Sequence, residues 1–558
     1  MKQLKIYGIG IISILILLCL CPTKEGNELK KSKDEEFIKT QFLSSYANYA
    51  NQRSIEVEML VNTKQKWLFE EADDKNRPWI AKDGTLYYPV QQFKQLLKGN
   101  VLFYPNKTVQ IKQGERSIRY SEKEIQYRNE IPYLPLEKIL EDFGYKMQWN
   151  RATNTIKILG NSKDALPVKF DLREEGRVTK VRDQGRYGTC WAFGALGAME
   201  SRLLPEENFQ FSVDHMTQHS GFYLTEEEGG EYHMSIAYLA SWRGPVLEED
   251  DPYGDGYSPK YLVPVKHLQE AILLPSKDYE AIKRAVFLYG GVETNIFTSL
   301  KSATSWSQYY NQETYAYYFN GNLAPNHDVI IVGWDDEYPK ENFTKTPPDD
   351  GAFLCKNSWG TAFGEEGYFY ISYYDSVVGT NNIVYTKIED TKNYDNIYET
   401  DELGWVGQMG YGKEDAWFAN VYTAKGKETL KAVSFYATMP NTTYEVYEVE
   451  KFHTEDSLQE RKKVAEGSFE QAGYYTVSLD EEIPLKKGQK YAVIVKIHTP
   501  GSKQPVAIEY KRDIRTSTFT VGDGEGYISL HGIDWTRTEK KQMSNVCLKA
   551  FTSNQKQE

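Results

Sequence analysis

Apolar positions divide the chain into stretches of different period. An apolar run opens at Ile6, behind Lys2 and Lys5, and ends near Cys21. Its length and basic flank read as a secretory leader, an uncleaved N-terminal anchor being the alternative. Residues 22–55 are polar and charged and read as a spacer. Between 56 and 160 one pattern occurs twice: KDGTLYYPVQQFKQLL at 82–97 is echoed by RNEIPYLPLEKILEDFG at 128–144, an offset of about 46 residues. Pro89 and Pro135 stand at the first turn of each predicted helix, where a missing N–H costs nothing. Each copy is followed by a short strand pattern, so the segment predicts one small α+β module of two strand–helix–strand units. From Cys190 the sequence CWAFGALGAMESRLL sets Phe193, Leu196, Gly197, Glu200 and Leu204 at helical spacing without proline. From about residue 273 the pattern turns to short strands, among them VIIVGW at 329–334, FLCK at 353–356 and GYFYISY at 367–373. Beyond about residue 375 the runs WFANVY, TLKAVSFYA, TTYEVYEV, YYTVSL, YAVIVKI and VAIEY alternate with turn residues. They predict a β-sandwich or jelly roll.

Composition changes this picture in three ways. At 558 residues the chain is too long for one ordinary core, so several domains are expected. A net charge of −13 argues against general nucleic-acid binding. Of five cysteines, Cys19 and Cys21 lie in the leader, each preceded by leucine where a lipidation site would carry a small residue. The remaining Cys190, Cys355 and Cys547 are too few to staple an exported protein with disulfides. Residues 22–165 contain neither His nor Cys, so no metal or other cofactor is called for there. Cys355 and Cys547 read as inward strand residues, and Met216 and Met234 as core.

The chemistry centres on QGRYGTCWAF, residues 184–193. Cys190 stands where a loop becomes a helix, and the positive end of the helix dipole favours thiolate over thiol. Gly185 and Gly188 loosen the backbone upstream, and Gln184 carries an amide donor. A thiolate beside an amide donor is the beginning of an acyl-transfer site. A lone cysteine is more often a small buried hydrophobe, and His327 or Asn357 alone would read as a capping or turn residue. Their joint occurrence alters that. A cysteine followed by His and Asn about 130–150 residues downstream is the papain-group arrangement. His327, in NHDVIIVGW, falls in that interval, and Asn357, in CKNSWG, lies somewhat beyond it.

Four blocks, in order, resemble the papain-like cysteine peptidases: LPVKFDLREEGRVTKVRDQGRYGTCWAF, EGGEYHMSIAYLASWRGPVLEEDDPY, NHDVIIVGWD and CKNSWGTAFGEEGYFYISY. The resemblance implies a two-lobed peptidase over 165–374, one lobe helical and one β, with the cleft between them. It implies Cys190 as nucleophile, His327 as general base and acid, Asn357 orienting the imidazole, Gln184 in the oxyanion hole, Gly229 and Gly230 lining the substrate cleft and Trp359 shielding the His–Asn bond. Tyr187 replaces a commonly bridged cysteine, which favours a Gram-positive exported protein. Residues 335–350, DDEYPKENFTKTPPDD, depart from the pattern and read as an inserted, exposed loop. The module at 56–160 resembles the small N-terminal domain of some copper amine oxidases, without copper here, and 375–558 resembles the lectin-like domain that follows some bacterial papain-like peptidases. Trp405 and Trp417 there are either sugar platforms or sandwich core.

The expected architecture is thus multidomain α+β: leader 1–21, spacer 22–55, repeat module 56–160, peptidase 165–374 and β-sandwich 375–558. The expected function is an exported or cell-surface cysteine endopeptidase acting on protein or peptide, with a cell-wall or surface glycan as possible C-terminal partner. No nucleic acid is expected, and membrane contact only through an uncleaved N-terminus. Two alternatives remain open at this stage: a surface or carbohydrate-binding protein with an inactive peptidase domain, and a Cys-His acyltransferase.

Overall fold

The computed structural model describes residues 166–522 and 526–555 without interruption, most of 58–159, and Lys5–Gly8. The spacer reading lies outside the described residues. So does the leader reading, apart from Lys5–Gly8, which pairs antiparallel with Gly407–Gly410. No helix among the described residues is long and apolar enough to cross a membrane. The chain forms two compact units, Tyr46–Leu166 and the remainder.

In the smaller unit the two copies of the repeat meet. Strand Leu86–Pro89 runs antiparallel to Ile131–Pro135 with Leu134 opposite Tyr88, and these are equivalent positions of the repeat. The copies are therefore related by a local two-fold. After Pro135 the chain enters the predicted helix, Leu136–Asp142. After Pro89 only a 3-10 turn, Val90–Gln92, is described. Tyr88, Val90, Phe93, Leu134, Ile139 and Leu140 share one core with Val109 and Ile111 from the next hairpin.

The larger unit begins with helices α1 (Cys190–Leu203), α2 (Val213–His219) and α3 (Tyr232–Ala240). Helix α1 is buried along almost its whole length. Two glycines let it lie close to the sheet. A Cβ at Gly197 would stand 2.5 Å from Ile330, and one at Gly194 would stand 3.3 Å from Glu293. The β lobe comprises β1 (Lys266–Leu274), β2 (Val292–Ile296), β3 (His327–Asp335), β4 (Ala352–Lys356), β5 (Tyr368–Ser372) and β6 (Asn382–Asp390), with α4 (Tyr279–Tyr289) between β1 and β2. Their order in the sheet is β5-β4-β3-β2-β6-β1. Strand β6 falls past the composition break at residue 375 yet pairs with β1 and β2. The β lobe thus extends beyond residue 374.

The C-terminal strands β7 (Asp415–Thr423), β8 (Glu428–Ala437), β9 (Thr442–Val449), β10 (Ala472–Leu485), β11 (Lys490–His498) and β12 (Leu548–Asn554) form the expected two-layer sandwich. One layer holds β9, β11 and β7, the other β10, β8 and β12. Phe435 joins the layers, packing against Phe418 and Tyr444. The second layer is not separate from the β lobe. Strand β10 pairs antiparallel with β1, Glu270 opposite Tyr475, so one sheet runs from the peptidase region into the sandwich. The inserted loop is less exposed than its acidic sequence implies. Tyr338 and Phe343 are buried against Tyr318 and Ala352, because aromatic side chains bury more area than the short polar residues around them expose.

Candidate active site

Strand β3 and helix α1 bring the predicted residues together. Cys190 opens α1 and His327 opens β3. Asn357 follows β4 directly, held by its backbone N–H to Gly367 O at 3.0 Å. His327 Nε2 and Asn357 Oδ1 are 2.7 Å apart. The same Oδ1 accepts the Ser358 backbone N–H at 2.8 Å. A backbone N–H can only donate, so it fixes which amide atom of Asn357 is the oxygen. That oxygen can only accept, so His327 must carry its proton on Nε2. The lone pair then sits on Nδ1, ready to take a proton. Trp359 covers the pair, its ring stacked on His327 with centroids 4.7 Å apart.

Gln184 is anchored from the same loop. Its backbone N–H donates to Ser358 O at 2.8 Å, its Oε1 accepts from Ser358 Oγ at 2.6 Å, and its Nε2 donates to Tyr187 O at 2.7 Å. One amide hydrogen is left uncommitted. Tyr253 Oη reaches both Gln184 O, at 2.9 Å, and Thr189 Oγ1, at 2.7 Å. This ties the amide to the turn before Cys190. Gly229, at φ +66°, and Gly230 lie against that turn. A Cβ on Gly188 would meet Gly229 N at 2.6 Å, and one on Gly230 would meet the Trp191 ring at 2.5 Å. Trp191 is buried and cannot retreat. Gly230→Ala is therefore expected to destabilise the protein by about 1–3 kcal/mol through overpacking, read as a lower denaturant midpoint. An unchanged midpoint would show that the glycine segment yields instead.

The electrostatics keep the resting pair uncharged. Burial pushes the Cys190 thiol well above its ordinary range, and the neighbouring Asp328 adds to this. Burial lowers His327 to about 4 against the opposing hydrogen bond from Asn357. Among the described residues no hydrogen bond joins Cys190 to His327. The thiol instead points to Asp328 Oδ2, at 3.7 Å. Sequence reading named Asp328 only as a neighbour of His327. The available signal was an acid placed directly before the apolar run Val329–Trp334. Ser358, Glu293 and Asn295 were missed altogether, and nothing local marks them. Cys355 and Cys547 are buried and free; Cys355 lies in β4 as expected, whereas Cys547 stands just before β12 rather than within a strand. Met216 and Met234 are core. Trp405 is buried, with His233 and Tyr436 against its ring, and Arg461 lies over the face of Trp417.

A helical lobe and a β lobe with a cysteine at a helix start and a His–Asn pair opposite form an arrangement similar to that of papain-type cysteine peptidases, and residues 166–388 match the family model described as papain family cysteine protease. Residues 397–552 match the lectin-like domain family. The crystal structure of the cysteine protease and lectin-like domains of Cwp84, a surface-layer associated protein of Clostridium difficile, superposes with a TM-score of 0.62 at 26% identity, covering 70% of this chain and 89% of that one. Clostridial Cwp84 after propeptide cleavage gives 0.60 at 26% identity, covering 69% and 99%. Cathepsin K of Gallus gallus is 31% identical over 217 residues, 36% of this chain. A cathepsin L-like peptidase of Aedes aegypti is 28% identical over 211 residues, again 36% of this chain. Each match spans 58% of the relative's length.

Proposed function

We propose that the chain is an exported cysteine endopeptidase cleaving peptide bonds through a Cys190 thioester. The observation that carries this is the geometry of β3. Residue 327 bonds Asn357 through Nε2, which leaves Nδ1 as the basic nitrogen, while the next residue of the same strand touches Cys190. His327 takes the thiol proton, and the thiolate attacks the carbonyl carbon of the scissile bond. The uncommitted Gln184 N–H and the Cys190 backbone N–H hold the oxyanion, one such donor contributing about 3–4 kcal/mol. His327 then protonates the leaving amine, and water, deprotonated by the same imidazole, releases the acid. Asn357 holds the ring throughout. Being neutral, it leaves imidazolium and thiolate as the pair that stabilises itself. Gly229 and Gly230 bind extended substrate through their backbone.

The likeness to a surface-layer associated protease, together with the apolar leader, supports placement at the surface of a Gram-positive cell or in its medium. The lectin-like match supports a surface glycan as a partner of the C-terminal domain. The two-fold repeat unit, similar in sequence to the copper amine oxidase N-terminal domain, is read as an envelope-contact module without copper.

The test is covalent trapping. A peptidyl epoxide is opened by the thiolate, which forms a C–S bond and leaves an alkoxide to be protonated. The expected adduct lies on Cys190 alone, with hydrolysis of a labelled protein lost in step, by peptide mass spectrometry. Adduct on Cys355 or Cys547, or hydrolysis that survives full labelling of Cys190, would sink the reading.

A further inference from the structure

Beneath the nucleophile lie two buried acids that the peptide-cleaving steps do not use. Asp328 is 6% exposed and Glu293 is 1% exposed. Both pack on Gly194 of α1, where an added Cβ would meet Glu293 Cγ at 3.3 Å and Asp328 Cβ at 3.6 Å. Asp328 Oδ1 accepts from Asn295 Nδ2 on β2, and its Oδ2 takes the Cys190 thiol at 3.7 Å. Glu293 Oε2 accepts from Tyr385 Oη on β6 at 3.0 Å, and its Oε1 has no partner among the described residues. Strand β2 runs antiparallel to β3 with Asn295 opposite Asp328. The amide and the carboxylate are therefore paired by the register of the sheet.

A carboxylate in contact with a sulfur opposes thiolate formation, since two like charges would share a dry site. The same group protonated donates to the sulfur and favours the thiolate. We propose that Asp328 is a positioning residue for Cys190: ionised, it accepts the thiol's hydrogen bond and opposes loss of the thiol proton; protonated, it donates to the sulfur and favours the thiolate that forms when His327 takes that proton, so the cleft arms as pH falls. This rests on the reading of Cys190 as nucleophile.

The surroundings agree in sign. Glu293 on β2 and Glu231 at the entry to α3 are both acids, and both favour the protonated form of Asp328 or compete for its proton. Burial acts in the same direction and raises the Asp328 carboxyl, while the Asn295 amide and the Cys190 thiol pull it down. His327, next along the strand, is held neutral by burial, and Tyr385 is engaged with Glu293. Cations do reach the far side of this region: Lys180, Arg182 and Lys356 line a small cavity with Asp328 and Glu200. Arg182 is committed to Glu200 and Glu248, and Lys356 to Thr179. Among the described residues no ion pair joins Lys180, Arg182 or Lys356 to Asp328.

The experiment is site-resolved alkylation of the full chain by iodoacetamide from about pH 5 to pH 8, with rates for Cys190 read by mass spectrometry. In the parent protein Cys190 is expected to react faster at the acid end than at neutrality. Asp328→Asn keeps a donor and removes the charge, and is expected to raise the neutral rate about tenfold, the size of one pKa unit, and to flatten the profile. Should that variant not fold, Asn295→Ala removes the donor that favours the ionised carboxylate. It is expected to move the parent profile to higher pH. A fast Cys190 whose profile is the same in the parent and both variants overturns the role of Asp328 and leaves the peptidase reading standing. A Cys190 no faster than Cys355 and Cys547 in every protein overturns both.

Discussion

Cys190→Ala is expected to remove peptide hydrolysis by roughly a million-fold, the scale on which loss of a covalent nucleophile is felt. The substitution deletes one atom at the first position of α1 and leaves the helix, the His327–Asn357 bond and the Gln184 anchor unaltered. Folding is therefore expected to persist, with an unchanged circular-dichroism spectrum as the control. The residual rate reports the oxyanion donors and substrate binding alone. The same substitution at Cys355, fully buried in β4, would cost core packing and little activity. That contrast separates a nucleophile from a structural thiol. Hydrolysis surviving in Cys190→Ala would mean that a group other than Cys190 attacks the peptide bond.

The second large effect is on stability. Lys549 on β12 is 1% exposed, with its ammonium 2.7 Å from Glu399 and 2.9 Å from Asp401. Burial alone would lower the lysine, and the two carboxylates reverse this and hold it well above its ordinary range. Burial raises Glu399 to about 7 in spite of the lysine. Lys549→Met keeps the stem and removes the charge, leaving two acids buried without a counter-charge. Breaking a buried pair in this way costs about 3–5 kcal/mol. The same sheet joins β12 to β8, β10 and β1, so the loss is expected in the unfolding of both lobes and the sandwich, measured by chemical denaturation. Adding Asp401→Asn and Glu399→Gln should return most of it. A single-variant loss under about 1 kcal/mol would mean that water reaches the site.

The signals legible in the chain were local. Cys190 was found because glycines, a glutamine and a helical pattern surround it within one short stretch, and His327 and Asn357 because each opens or follows an apolar strand run. The repeat at 56–160 was legible for the same reason, although only the structure shows its copies opposed across one strand pair. The sandwich strands were visible as alternating runs. The end of the β lobe was not: Asn382–Asp390 looks like any sandwich strand until its partners are known. The buried Tyr338 and Phe343 were hidden by the acids beside them in the inserted loop.

By itself, then, the sequence determined the candidate reacting groups, the order of the lobes and the periodicity of their elements, since these depend on neighbours a few positions apart. Tertiary structure decided which hydrogen bond each group makes. The tautomer of His327 rests on a backbone N–H at Ser358, and the contact made by the Cys190 thiol on an acid 138 positions away. The union of peptidase and sandwich rests on a strand pairing between residues near 272 and 473. Such contacts are set by sheet register and by two glycines that let α1 approach β2 and β3. A one-residue slip in register would send each of these side chains to the opposite face, and no local pattern in the chain records which partner lies across the sheet.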